Sequence, residues 1–159
     1  MGGLVLPSQD IVRLRDDGRI FSLGDISDSQ IQPASLDLTI SNECHRLNAS
    51  FTPENKRVAE ALSSRSMHKF YYDDKGALLE KGVVYLFPLN EKTHLPKKIS
   101  ARSNPKSSTG RVDLFVQLIT DCSTKYDKVN GSNLYLEVVS SSFPVLVRPG
   151  LALNQIRFY

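Results

Sequence analysis

The stretch "NPKSSTGRVD" at 104–113 concentrates groups that bind anions. Ser107, Ser108 and Thr109 offer hydroxyls and, with Gly110, a run of backbone N–H donors, and Gly110 lets the chain enter a positive-φ turn whose concavity attracts negative charge. Lys106 and Arg111 flank the run. Arginine's planar fork matches phosphate or carboxylate, and lysine adds a mobile point charge. The pattern is not a Walker loop, because GxxxxGK[ST] is absent and the residues that follow read as a strand rather than a helix. Taken alone, "KSSTGR" reads first as an ordinary solvated turn.

A second group with chemical potential is Glu137 in "NLYLEVVS". Strand alternation puts Leu134, Leu136 and Val138 on one face and Tyr135, Glu137 and Val139 on the other, so the carboxylate sits among apolar neighbours. If that face is covered, such a group can exchange protons near neutral pH, as a general acid/base must. If it is open, Glu137 is a rim residue. Asp37 in "PASLDLTI" and Asp113 beside Arg111 are charges inside strand-like runs. Each can serve as an ion-pair partner, a ligand of a hydrated cation or a surface group.

Other chemistries lack their signatures. A zinc nucleobase deaminase requires H-x-E followed by P-C-x-x-C, whereas His45, His68 and His94 are followed by "RL", "KF" and "LP". No G-x-S-x-G elbow marks a serine hydrolase. Cys44 and Cys122 are far apart, with neither a CxxC nor a nearby histidine, and read as buried free thiols.

These residues must be held by a mostly β framework. Short β-branched or aromatic runs recur as "SLDLTI", "ECHRLN", "GVVYLFPL", "RVDLFVQLIT", "NLYLEVVS", "FPVLVRP" and "LNQIRFY", separated by Gly, Pro, Asn, Ser or Lys. About seven strands at this density predict a sandwich, jelly roll or small barrel. Two short helices are expected. One lies in "LPSQDIVRLRDDG", with Ser8 as cap and Gly18 as stop; the other lies in "TPENKRVAEALSS", with Thr52 as cap, Pro53 in the first turn and Val58, Ala61 and Leu62 on one face. Asp73 to Gly76 reads as a turn between two extended pieces.

With 159 residues, 40% of them hydrophobic and 23% charged, the chain suits one domain spanning 1–159 with its own core. No apolar run approaches a membrane span and "MGGLVLPSQD" lacks the pattern of a signal peptide, which predicts a cytoplasmic protein without a membrane partner. A net charge of +3 is far from the excess of a protein that coats nucleic acid, so the expected anionic partner is small.

Taken in order, "IQPASLDLTI", "ISARSNPKSSTGRVDLFVQLITD", "LYLEVVS" and "RPGLALNQIRF" resemble the dCTP deaminase branch of the dUTPase-like family, from about residue 4 to the last. The wording of the second segment is closest to the N-terminal half of the longer, two-repeat form. The resemblance implies a distorted jelly-roll β-barrel and a homotrimer, or a pseudo-trimer within a longer chain, with sites between subunits. It implies deamination of dCTP to dUTP without zinc, with magnesium carried on the triphosphate. Some relatives also hydrolyse dUTP to dUMP.

By the same resemblance, Glu137 matches the glutamate that takes a proton from the attacking water and passes one to the departing ammonia. Ser107 matches the serine that holds that water and the cytosine, Ser108 its phosphate-contacting neighbour, and Arg111 the arginine that reaches into an adjacent subunit's site. Lys106 takes the place of a basic residue, with Thr109 and Gly110 completing the substrate loop. Gln155 matches a glutamine on the strand closing the nucleotide pocket, and Asp127 an aspartate that starts a turn against the deoxyribose. Thr39 stands where many relatives carry arginine, and Asp113 where short-form relatives often carry glycine. The chain ends soon after Gln155, where relatives continue into an arm over the triphosphate. Three readings stay open at this point: an active dCTP deaminase, a nucleotide-binding or architectural half-domain, and a dUTP diphosphatase.

Overall fold

The computed structural model describes residues 3–53, 56–122, 125–129 and 131–159, with Asp127 described in its backbone only. In chain order the elements are α1 (Ser8–Asp16), β1 (Ile20–Ser22), β2 (Ile31–Gln32), β3 (Ser35–Thr39), β4 (Glu43–Leu47), α2 (Val58–Arg65), β5 (Ser66–Tyr71), β6 (Ala77–Leu79) and β7 (Val84–Pro88). They continue as β8 (Glu91–Thr93), β9 (Ala101–Pro105), α3 (Ser107–Arg111), β10 (Leu114–Ile119), β11 (Tyr135–Ser140), β12 (Val145–Val147) and β13 (Ala152–Phe158). Each of the seven expected runs contains a strand. β5 and β6 are the two extended pieces expected on either side of the 73–76 turn; the strands not anticipated are short, like β1, β2 and β8, or polar and exposed, like β9, so they carry little apolar alternation to read.

Two larger sheets form the body. One has the order β10-β11-β7-β4-β5 and the other β2-β3-β13-β9, and within both sheets every pairing is antiparallel. Alternation turns Val116, Leu136, Val138 and Phe87 of the first sheet and Leu36, Leu38, Ile156 and Phe158 of the second into one shared core. Fully burying side chains such as Phe87 and Phe158 stabilises the fold by about 1.5–3 kcal/mol each. The outer face of the five-stranded sheet has a core of its own, in which Phe51, Val58 and Leu62 pack on Leu47, Leu86, Ile119 and Tyr135. A jelly-roll-like sandwich with an extra layer on one side is the result.

Both helices form, but their starts differ from expectation. In α1 the cap position is Pro7 and Ser8 is already helical, while Gly18, at φ +67°, follows the helix end as anticipated. In α2 the first residue is Val58 rather than Pro53, because the Asp121 carboxylate, 63 residues away, accepts the Val58 N–H at 2.9 Å. Thr52 therefore does not cap it, although Val58 and Leu62 do form the buried face. The turn at 73–76 is present: the Gly76 N–H donates to the Asp73 carbonyl at 2.9 Å, Gly76 has φ +95°, and a Cβ there would stand 2.7 Å from the Val147 carbonyl oxygen.

A carboxylate that sequence inspection passes over is built into the frame. Glu91 on β8 is 1% exposed; its Oε1 accepts from Thr39 Oγ1 at 2.6 Å and from Gln30 Nε2 at 2.7 Å, and its Oε2 accepts from the Thr39 N–H at 2.8 Å. Thr39 is thus a donor to a buried carboxyl through both its N–H and its hydroxyl. Burial pushes the Glu91 pKa up, and these hydrogen bonds only partly oppose it. Folded protein then holds the Glu91 proton more tightly than unfolded chain. The contribution of Glu91 to stability is full below its ordinary value of 4.5 and is lost as pH rises through the higher folded value. Urea midpoints of wild type and Glu91→Gln between pH 4 and 8 are expected to show the wild type losing ground to the variant as pH rises; a constant or growing wild-type advantage would refute this.

Candidate functional site

The stretch at 104–113 is more regular than its composition implies. Residues Ser107–Arg111 make one turn of helix, α3, between β9 and β10. The N–H groups of Thr109 and Gly110 turn back to the Lys106 carbonyl at 3.0 and 3.3 Å, so the expected cradle of four free amides is not formed. Gly110 has a negative φ, and the left-handed residue is instead Asp113, at φ +57°. The Thr109 hydroxyl is also corrected as a substrate contact: it is buried and donates to the Leu153 carbonyl at 2.7 Å, which locks α3 onto β13. Ser107, Ser108, Gly110 and Arg111 remain on the exposed side. Asp113 accepts from the Ser142 hydroxyl, and among the described residues no ion pair joins it to Arg111.

Lys106 points the other way. Its ammonium pairs with the Oδ2 of Asp37, which is 4% exposed and whose Oδ1 is buried with no partner among the described residues. Gln155 lies directly opposite both Asp37 on β3 and Asn104 on β9, and its Oε1 accepts from Ser35 Oγ at 3.2 Å. Lys106, Asp37 and Gln155 are therefore one polar cluster on the outer face of the four-stranded sheet, since Leu36, Leu38 and Ile156 take the inner positions. Asp127 lies in the 3-10 turn Tyr126–Lys128, and its side chain is outside the described residues.

Glu137 sits on β11 with Gln117 of β10 on one side and Leu86 of β7 on the other, and His45 of β4 follows Leu86 in the same row. This is the outer face of the five-stranded sheet, flanked by Tyr135 and covered by the excursion that carries Ser50, Phe51 and α2. The carboxylate is 1% exposed, so the rim reading of Glu137 does not hold. Its Oε1 accepts from Ser50 Oγ at 2.7 Å, while Oε2 is buried without a hydrogen-bond partner among the described residues. Burial of a carboxylate oxygen with no donor is costly, and such groups are retained where chemistry uses them.

Lys106, Asp37 and Gln155 thus lie on one outer face of the sandwich and Glu137 on the other, while α3 links β9 of the four-stranded sheet to β10 of the five-stranded one. No hydrogen bond or ion pair among the described residues joins Glu137 to Lys106 or to any residue of α3. Ser50 and Glu91 were missed by sequence inspection. Ser50 lies 87 residues from its partner in an unremarkable loop, and Glu91 in a three-residue strand; no local pattern marks either.

A family model described as the N-terminal domain of 2′-deoxycytidine 5′-triphosphate deaminase matches residues 2–159. A protein of Methanosphaera stadtmanae named "dCTP deaminase, dUMP-forming" is 27% identical, covering 97% of this chain and 78% of its own length. One of Ignicoccus hospitalis named "dCTP deaminase" is 25% identical over 82% of this chain and 69% of its own. The crystal structure of 2′-deoxycytidine 5′-triphosphate deaminase from Agrobacterium tumefaciens superposes with a TM-score of 0.89 at 40% identity over 97% of this chain. This chain spans 47% of the length of that structure. Sandwich topology, the Glu137 strand and the match over nearly every residue agree, and the chain belongs to the dCTP deaminase family, with its dUTPase-like fold.

Proposed function

We propose that the protein deaminates dCTP to dUTP with Glu137 as the proton-transferring group, in a site closed between subunits of a homotrimer or of a pseudo-trimer in a longer chain. The observation that carries the reading is the buried Glu137 carboxylate with one oxygen held by Ser50 and the other unpartnered. Water attacking C4 of cytosine must lose a proton and the leaving amine must gain one, and a single carboxylate does both in sequence. Ser107 and Ser108 on the exposed side of α3 would hold water, base and phosphate, and Arg111 would reach into the neighbouring subunit's site. No hydrogen bond or ion pair among the described residues joins α3 to Glu137, which favours a site that a second copy completes.

The triphosphate would bring magnesium with it, and binding energy from the phosphates would orient the ring for attack. A zinc-activated water is not needed in this scheme. Cys44, whose thiol burial pushes well above its usual value, packs in the core rather than offering a thiolate. Lys106 is assigned to Asp37 first and to substrate second, since its ammonium is already paired.

A second product follows from the relatives: proteins named as dUMP-forming deaminases favour continued hydrolysis of dUTP by the same site. The third reading, a nucleotide-binding or architectural half-domain, draws on the lack of any hydrogen bond or ion pair between Glu137 and α3 among the described residues.

The test is incubation of the purified chain with dCTP and magnesium, with dUTP in parallel, the nucleotides being resolved by chromatography. The expected product is dUTP with equimolar ammonia. Formation of dUMP from both substrates would extend the activity, and dUMP from dUTP alone would favour the diphosphatase. No product from a folded, trimeric protein would refute the catalytic reading and leave the architectural one.

A further inference from the structure

Resting on that reading, we infer that Ser50 is a positioning residue for the deamination: its hydroxyl holds Oε1 of Glu137 and thereby makes Oε2 the oxygen that takes and returns the proton. Ser50 is exposed, while the carboxylate beneath it is 1% exposed, so Ser50 stands between solvent and Glu137. Its Oγ donates to Oε1 at 2.7 Å, within the range for a hydroxyl on a carboxylate. No other side chain among the described residues donates to this carboxylate, so without Ser50 the group is free to turn about its last bond. A carboxylate clamped at one oxygen presents the other in a fixed direction.

The loop that carries Ser50 is itself anchored. Next to it, Phe51 is buried against Leu86, Tyr135 and their neighbours, and the Arg65 guanidinium stands 5.6 Å from the Phe51 ring centre. Before it, the Asn48 N–H donates to the Arg65 carbonyl at 3.1 Å. Ser50 therefore acts from a fixed backbone onto a strand 87 residues away.

In the step this serves, a lone pair on Oε2 takes a proton from water as the water oxygen bonds to C4 and the C4–N3 π electrons move to N3. The proton is then returned to the exocyclic amine, the N3 electrons re-form the C4–N3 bond as the bond from C4 to the exocyclic nitrogen breaks, and ammonia leaves with that pair; the 4-hydroxyl proton passes to N3 to give the uracil ring. Ser50 keeps its own proton throughout. It affects the chemical step and not the hold on substrate, so its removal belongs in kcat.

The experiment measures steady-state turnover of dCTP with magnesium by wild type, S50A, S50T, E137Q and S50A/E137Q, together with the melting temperature of each. S50A is expected to lose about 10- to 100-fold in kcat, the worth of one hydrogen bond to a charged group, with KM within about threefold. S50T, which restores a hydroxyl, should recover most of that loss. S50A added to E137Q should cost nothing further. S50A should also lower the melting temperature, because it leaves both oxygens of a buried carboxylate without a donor, and S50T and S50A/E137Q should recover most of that loss. An S50A enzyme with wild-type kcat, a loss confined to KM, or a further loss in the E137Q background would overturn the role of Ser50 while leaving the deaminase intact. A wild-type protein that turns over no dCTP would overturn the deaminase reading and this role together.

Discussion

Glu137→Gln is expected to abolish dCTP turnover while leaving the fold and the hold on nucleotide in place. The amide matches the carboxylate in shape, and its oxygen can still accept from Ser50. At the position of Oε2 it puts an N–H₂, which has no lone pair for the proton of the attacking water. A general base is worth about 10²–10⁴-fold in rate, so kcat should fall by at least that factor. Calorimetry with dCTP should give a Kd within about threefold of the wild-type KM. Stability offers a second readout. Oε2 is buried without a partner, and exchanging a charged group in that setting for a neutral one removes a desolvation cost. The melting temperature of the variant should therefore equal or exceed that of the wild type, as is common when a group kept for function is removed. Retained turnover would show that Glu137 is not the proton carrier.

Lys106→Ala is expected to cost more in stability than any other single change on the loop. Asp37 is buried on β3, its Oδ1 has no hydrogen-bond partner among the described residues, and the Lys106 ammonium is its charged neighbour. Gln32 Nε2, at 3.5 Å from Oδ2, is a weak substitute. Removing one member of a buried pair leaves an uncompensated charge and costs about 3–5 kcal/mol; with Lys106 itself partly exposed, about 3 kcal/mol is the expected loss in urea unfolding. Adding Asp37→Asn should recover most of it, since the pair then disappears as a unit. A Lys106→Ala protein as stable as the wild type, but weakened in dCTP binding, would return Lys106 to the phosphate role that its place in the loop implied.

The second result would bear on how such loops are read. From composition, Lys106 and Arg111 are equivalent cations at the two ends of "KSSTGR". In the fold they differ in kind. Lys106 precedes the turn of helix and points inward to Asp37, 69 residues earlier, while Arg111 ends it and stays exposed. Thr109 is separated from Ser108 in the same way, since one helical turn directs its hydroxyl to β13 and leaves its neighbour outside. Residues adjacent in a loop therefore divided between scaffold and surface once the backbone curled.

Much of the framework was legible because strand alternation is a local property. The period in "NLYLEVVS" correctly placed Tyr135, Glu137 and Val139 on a different face from Leu136 and Val138, and Gly76 marked a turn where no Cβ fits. Gly110 misled, because a glycine permits a positive φ without requiring one, and here the left-handed residue is Asp113.

What the sequence by itself determined is the seven apolar strand runs, the face on which their side chains lie and the family to which the order of motifs belongs. Tertiary structure alone decided which faces are closed and who meets whom on them. Glu137 is buried because Ser50, Phe51 and α2 lie across its sheet, and it is clamped because Ser50 arrives there. Helix α2 begins at Val58 because Asp121 is at hand, and Glu91 finds its donors on Thr39 and Gln30 across 52 and 61 residues. Each of these contacts depends on chain closure over tens of residues, whose entropic cost grows slowly with length and leaves no mark in any short window of sequence.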